Sequence, residues 1–204
     1  MRHGETESNQ QDRFTSRTDV PLSALGAEHV SSVAVGMASL GIDRVFCSPA
    51  KRARQTAEIV RESLSLVSGI DVVDELKEID FGEFEGMRRE DLEGDHATRA
   101  RIADWFNPYG PGTIPPGGEP WEAAAERASK ALEFVSASDA HTLVVGHGYL
   151  LRLMIVGALE LGSPPMIRRF VLGNARLSVL SRSSGHWRLV AHNFGTIATE
   201  EDLQ

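Results

Sequence analysis

Cys47 is the chain's one cysteine, so an internal disulfide is excluded and a reducing cytoplasm is the compartment it suits. No apolar run reaches the roughly 20 residues that span a bilayer. The longest, Tyr149 to Leu161, is broken by Arg152 and Glu160 and reads as a buried helix. The first residues lack the basic stretch and apolar core of a secretory signal. Positive charge is also short: 21 Lys and Arg stand against 29 Asp and Glu, a formal net charge of -8. That balance argues against nonspecific nucleic-acid binding, which needs a basic face, while a local group of arginines can still hold a small anion. No glycine-rich Walker loop and no Gly-x-Ser-x-Gly elbow is present. Cys47 and Arg52 stand one residue too close for the loop of a cysteine-based phosphatase. The seven histidines show no spacing that reads as zinc ligation, so no metal is expected.

What is present is an ordinary globular composition, 41% hydrophobic and 25% charged over 204 residues, long enough for a substantial core. Apolar positions repeat at helical spacing over Ala24–Leu40 and again from Trp121 through Val135. Arg44–Cys47, Ile70–Val73 and Thr142–Val145 are short strand candidates, the last apolar and β-branched as if buried on both faces. Ser48-Pro49 reads as a helix start, serine as N-cap and proline at the first helical position. Leu177–Leu180 and Trp187–Ala191 are expected to pair as a hairpin around Ser183-Ser184-Gly185. Strands alternating with helices predict an α/β fold with a mainly parallel sheet covered on both sides. With no repeat, low-complexity tract or linker, residues 1–204 are read as one domain. Residues 88–120, with Trp105, Phe106 and Tyr109 among prolines and glycines, form an insertion read as an ordered flap. Thr199 to Gln204 is an acidic tail expected to fray.

Three places carry chemistry. Arg2-His3-Gly4 projects a guanidinium and an imidazole from one point of a backbone that Gly4 allows to turn sharply. Gly146-His147-Gly148 lies between a strand and a helix, where open α/β sheets bind ligands. Arg52 falls in the first turn of a helix, where the macrodipole disfavours a cation. Arg54, its neighbour, has Glu58 four residues on as a surface partner. Arg52 has no such carboxylate; it is either solvated or shares a bound anion with the helix N-terminus. Two imidazoles and two guanidiniums together suit a phosphoryl dianion. The acidic run Asp74 to Glu85 supplies carboxylates, with Glu75, Glu78 and Glu83 not separable by pattern.

These stretches resemble the histidine phosphatase superfamily, of phosphoglycerate-mutase-like fold. The resemblance rests on Arg2-His3-Gly4-Glu5-Thr6 with Asn9, and on Asp19-Val20-Pro21-Leu22-Ser23 with Leu25-Gly26. Ser48-Pro49-Ala50-Lys51-Arg52-Ala53-Arg54-Gln55-Thr56-Ala57 and Leu76 through Gly86 follow in order. Pro115-Pro116-Gly117-Gly118-Glu119 and Val144-Val145-Gly146-His147-Gly148 complete a likeness over nearly the whole chain. It implies a three-layer sandwich and a cytoplasmic phosphatase acting on a small phosphorylated metabolite without metal or cofactor. It also implies roles: His3 as the nucleophile, Glu78 as the proton donor, and Arg2, Arg52, His147 and Asn9 around the phosphate. Mutase-type phosphoryl transfer and an inactive copy acting as a binding protein are the alternatives; Arg88–Pro120 is shorter than the insertions mutases of this fold carry.

One departure stands out. The family carries an apolar run before Arg-His-Gly that forms the central strand, and here only Met1 precedes Arg2. Met1 is therefore expected to be internal to the natural strand, because a missing central strand leaves its neighbours' backbone groups unpaired. The intact mass of the native protein is expected to exceed that of the 204-residue chain; an equal mass refutes this.

Overall fold

Alternation of side chains along two short apolar strands divides the core between two faces. In the computed structural model, which describes residues 1–88, 90–93, 99, 100, 103 and 115–195, β1 (Arg44–Cys47) is the middle of a parallel three-stranded sheet. It pairs with β2 (Ile70–Val72) on one side and β3 (Thr142–Val145) on the other, Val45 opposite both Ile70 and Leu143. Val45, Cys47, Leu143 and Val145 face a cluster with Val30, Val33 and Ala34 of the helix Ala24–Gly36 and Ala53, Ala57 and Val60 of the helix Lys51–Ser63. Phe46 points the other way, into a cluster with Ala124, Ala128 and Ala131 of the helix Trp121–Val135 and Leu150, Leu153 and Met154 of the helix Gly148–Ala158. The result is helix, sheet, helix: the three-layer α/β arrangement that strand–helix alternation predicts. Residue by residue, β3 is buried at Leu143 and Val145 and half-buried at Thr142 and Val144, so its two faces are not equally covered.

The helices are α1 (Glu7–Gln10), α2 (Ala24–Gly36), α3 (Lys51–Ser63), α4 (Trp121–Val135) and α5 (Gly148–Ala158). α2 is capped by Ser23, whose hydroxyl accepts from the Gly26 N–H at 3.0 Å, and a 3₁₀ turn over Ala38–Leu40 completes the stretch expected to be helical. The hairpin of β4 (Leu177–Ser183) and β5 (His186–Phe194) runs longer than sequence predicts. Ser184 and Gly185 both take positive φ, which matches the twist of a two-residue hairpin turn.

Ser48-Pro49 does not start a helix. α3 begins at Lys51 with Ala50 at its N-cap and no capping side chain of its own. The Ser48 hydroxyl is taken by His147, and the N-terminal amide of Lys51 is instead accepted by Asp19, 2.6 Å away and 32 residues earlier.

Met1–His3 lies beside β3. Arg2 bridges Gly146 in parallel, and His3 N donates to Gly146 O at 2.9 Å. On the other side Arg2 N donates to Arg176 O and Ala175 N to His3 O. His3 and His147 thus leave the same end of the sheet. Among the described residues no helix is long and apolar enough to cross a membrane. Trp105, Phe106 and Tyr109 of the expected flap, and the Thr199–Gln204 tail, lie outside the described residues.

The chain after His3 is wedged against α2. A side chain on Gly26 would collide with the backbone of Glu5, whose carbonyl accepts from Ser23 N at 2.9 Å. Gly26→Ala is expected to lower stability by about 1–3 kcal/mol, read as a reduced urea midpoint with an unchanged slope.

Candidate functional site

β3 ends at Val145, and His147 becomes the N-cap of α5 in extended conformation, so its ring turns inward over the end of the sheet. His3 arrives from the adjacent segment, the two ring centroids 5.2 Å apart and edge-on. Both rings are almost fully buried, as are Arg52 and Glu78. Every residue of the expected set is described, and the sheet and its loops bring Arg2, His3, Arg52, Glu78 and His147 into one cluster.

The hydrogen bonds assign both imidazole tautomers. His3 Nδ1 lies 2.7 Å from Gly4 O. A carbonyl only accepts, so Nδ1 carries the proton and the Nε2 lone pair is free. His147 Nδ1 lies 3.2 Å from Arg52 Nη2, and Nε2 lies 2.8 Å from Ser48 Oγ. A guanidinium only donates, so His147 has the opposite tautomer and its Nε2–H donates to Ser48. Burial first, then the charges of Arg2 and Arg52, hold His3 well below its ordinary value. Burial, then His3 and the same arginines, do so for His147. Both are neutral over the physiological range.

Arg52 is anchored by main-chain carbonyls: Nη1 to Thr18 O at 3.0 Å and Nη2 to Ser16 O at 3.1 Å. Arg2 Nη1 donates to Leu172 O at 2.7 Å. Burial lowers both pKa values, that of Arg2 to about 10, and Glu78 opposes the shift in each case. Both remain cationic. The Nε–H of Arg2 and the Nε–H of Arg52 are buried without a hydrogen-bond partner. A buried donor left unmade costs about 1–3 kcal/mol, so each of these two donors calls for an acceptor.

Glu78 is singled out from its acidic run by three backbone amides. Oε1 accepts from Ile79 N and Leu150 N, and Oε2 from Tyr149 N, each at 3.0 Å. The latter two are the free amides at the start of α5, which favour an acceptor there. Glu75 and Glu83 have no such seat. Asn9 Oδ1 is saturated by Thr6 N, Thr6 Oγ and Asn174 Nδ2 at 3.0–3.1 Å, leaving its Nδ2 as the end available to a ligand.

Sequence reasoning missed several contributors. Asn174 donates to His3 O at 3.1 Å as well as to Asn9, and Ser48 fixes the second histidine. Neither has a local signal, since the partners are far away in sequence. Glu58, the expected partner of Arg54, pairs instead with Arg61 at 3.0 Å. Cys47 is buried, its thiol pushed up to about 11 by desolvation, and takes no part. Among the described residues no group of three or more His, Cys, Asp or Glu is placed to hold a metal ion.

Comparison with known proteins agrees over the whole chain. The model of the histidine phosphatase superfamily (branch 1) matches residues 1–195. The uncharacterized phosphatase PhoE of Bacillus subtilis is 29% identical over 198 residues, 96% of this chain and 93% of its own. The adenosylcobalamin/alpha-ribazole phosphatase of Salmonella typhimurium is 31% identical over 79% of this chain and 78% of its own. The crystal structure of the alpha-ribazole phosphatase from Shigella flexneri superposes with a TM-score of 0.80 at 26% identity, covering 98% of this chain and 97% of that one.

The buried neutral histidines make stability depend on pH. Unfolded, they titrate near the ordinary 6.5; folded, well below it. The unfolded state therefore binds more protons below pH 6.5. The stability is intact above that value and is lost as pH falls, by up to ~1.4 kcal/mol per pH unit for each histidine. Thermal melts between pH 7.5 and 5 (about the range over which unfolded histidine titrates) are expected to show this slope, and the His3→Gln/His147→Gln double variant a shallower one.

Proposed function

The chain belongs to the histidine phosphatase superfamily, and from that premise we propose that it hydrolyses small phosphate monoesters through a phosphohistidine on His3. The observation that carries the reading is the pair of buried, unpartnered Nε donors on Arg2 and Arg52, beside an imidazole whose Nδ1 is protonated and whose Nε2 lone pair is free. A phosphoryl dianion takes both donors and presents phosphorus to Nε2.

In the first step the Nε2 lone pair forms the N–P bond as the P–O bond to the alcohol breaks. Arg2 and Arg52 stabilise the equatorial oxygens of a loose transition state, with the Asn9 amide around the same group and His147 reaching it by exchanging its Nε2–H from Ser48. Glu78 gives a proton to the departing oxygen. Its Oε2 has one backbone donor where Oε1 has two, so Oε2 is the oxygen freer to carry it. In the second step Glu78 takes a proton from water, water oxygen bonds to phosphorus, the N–P bond breaks, and orthophosphate leaves. A single catalytic domain over residues 1–204, working in the cytoplasm on a phosphorylated metabolite rather than a nucleic acid, fits the net charge of -8 and the single cysteine.

His3→Ala is expected to remove turnover and the acid-labile, base-stable phosphate trapped on the wild-type protein; full activity in that variant overturns the mechanism. Glu78→Gln is expected to lose roughly 10²–10⁴-fold in kcat on alkyl phosphates and much less on p-nitrophenyl phosphate, whose leaving group needs no proton. With 3-phosphoglycerate and a bisphosphoglycerate primer, free phosphate is the expected product; isomer formation instead assigns a mutase.

A further inference from the structure

α3 presents two fully buried side chains one turn apart, Arg52 and Thr56. The Thr56 hydroxyl donates to the carbonyl of Arg52 at 2.7 Å. Such a bond within a helix is common and by itself only satisfies the hydroxyl. It uses the one hydrogen the group has, however, so towards any other neighbour Thr56 Oγ can act only as an acceptor. That neighbour is the N–H of Gly4, 3.0 Å away across 52 residues of sequence.

Gly4 N belongs to the peptide that joins His3 to Gly4, and Gly4 O receives the His3 Nδ1–H at 2.7 Å. A glycine has no side chain to steady its own peptide groups. Here α2 closes one side, since a Cβ on Gly4 would lie 2.6 Å from Val30 Cγ2. Asn174 touches the carbonyls of His3 and Gly4 from another, at 3.1 and 3.4 Å. Thr56 holds the amide.

We propose that Thr56 is a positioning residue for His3: its hydroxyl fixes the His3–Gly4 peptide and, through Gly4 Cα, the carbonyl of the next peptide that receives Nδ1–H, which keeps the imidazole in the Nδ1–H tautomer with Nε2 free. Because the same hydroxyl is bonded to the main chain of Arg52, it also sets the nucleophile and the phosphate clamp in one frame. Removing it leaves the Gly4 N–H buried with no acceptor. The His3–Gly4 peptide is then free to turn, which swings Gly4 Cα and with it the following Gly4–Glu5 peptide, whose carbonyl meets Nδ1, and the nucleophile loses both its orientation and its tautomer. The kinetic half of this proposal rests on His3 being the nucleophile; the tautomer half does not.

The test uses ¹⁵N-histidine-labelled protein, the His3 signals assigned by difference from His3→Gln. Wild type is expected to show His3 as the neutral Nδ1–H form at neutral pH. Thr56→Val and Thr56→Ala remove the hydroxyl with opposite changes in bulk. Both are expected to give mixed tautomers and to lose about tenfold to a hundredfold in kcat, the scale of a misplaced reacting group, with KM changed by less than about twofold. Thr56→Ser is expected to restore both tautomer and rate. An Nε2–H tautomer in wild type overturns the proposal. So does a wild-type tautomer and rate in the two hydroxyl-less variants, or a serine variant that fails to recover. Failure of Val and Ala variants alike to fold assigns Thr56 to stability and overturns it too. Retained turnover in His3→Ala instead defeats the phosphohistidine reading, while the tautomer measurement still decides the role of Thr56.

Discussion

Burying the guanidinium of Arg52 is the constraint around which the site is built. Taking a cation out of water costs several kcal/mol unless its protons find acceptors, and the acceptors here are carbonyls of Thr15, Ser16 and Thr18. To offer them, the segment before α2 must fold inward, which turns its own amides towards the opposite side. Glu85 meets that demand, accepting from Ser16 N at 2.9 Å and Thr18 N at 3.0 Å. The next residue, Asp19, then caps the helix that carries Arg52. Helix, charge and loop hold one another in place.

The sheet supplies what the arginine alone cannot. Met1–His3 and β3 run side by side, so their continuations deliver two imidazoles to one edge. The ring of His147 is then locked between Ser48, at the end of β1, and Arg52. Glu78 closes the cluster by reaching the first amides of α5. Arg52, His147 and Glu78 are each held by an element other than their own, which is how a site keeps its geometry without a bound ligand.

The layered fold was legible in sequence because strand alternation and helical spacing are local signals, and β1, β3, α2 and α4 fall close to where the pattern puts them. His147 was legible for the same reason: a glycine-flanked histidine between strand and helix has a predictable address. Glu78 was not separable by pattern, because what distinguishes it from Glu75 and Glu83 is a pair of amides more than 70 residues away. Ser48 misled for a related reason. Its local context reads as a cap, yet its hydroxyl meets a buried imidazole at 2.8 Å and reaches only the amide of Ala50, ahead of the helix. Asp19, Thr56 and Asn174 act across 32, 52 and 171 residues respectively, beyond any window of local propensity.

The opposite tautomers of His3 and His147 bear on how the site empties. With both rings neutral, the cationic charge the proposed mechanism offers a phosphate is that of two guanidiniums, matched to a dianion. Two imidazoliums in addition would over-compensate it and hold orthophosphate as firmly as the ester. Burial keeps those rings uncharged, so in the proposed mechanism the desolvation that leaves His3 neutral for attack also limits the grip on product. On that proposal turnover, as well as bond cleavage, depends on the depth at which the histidines sit.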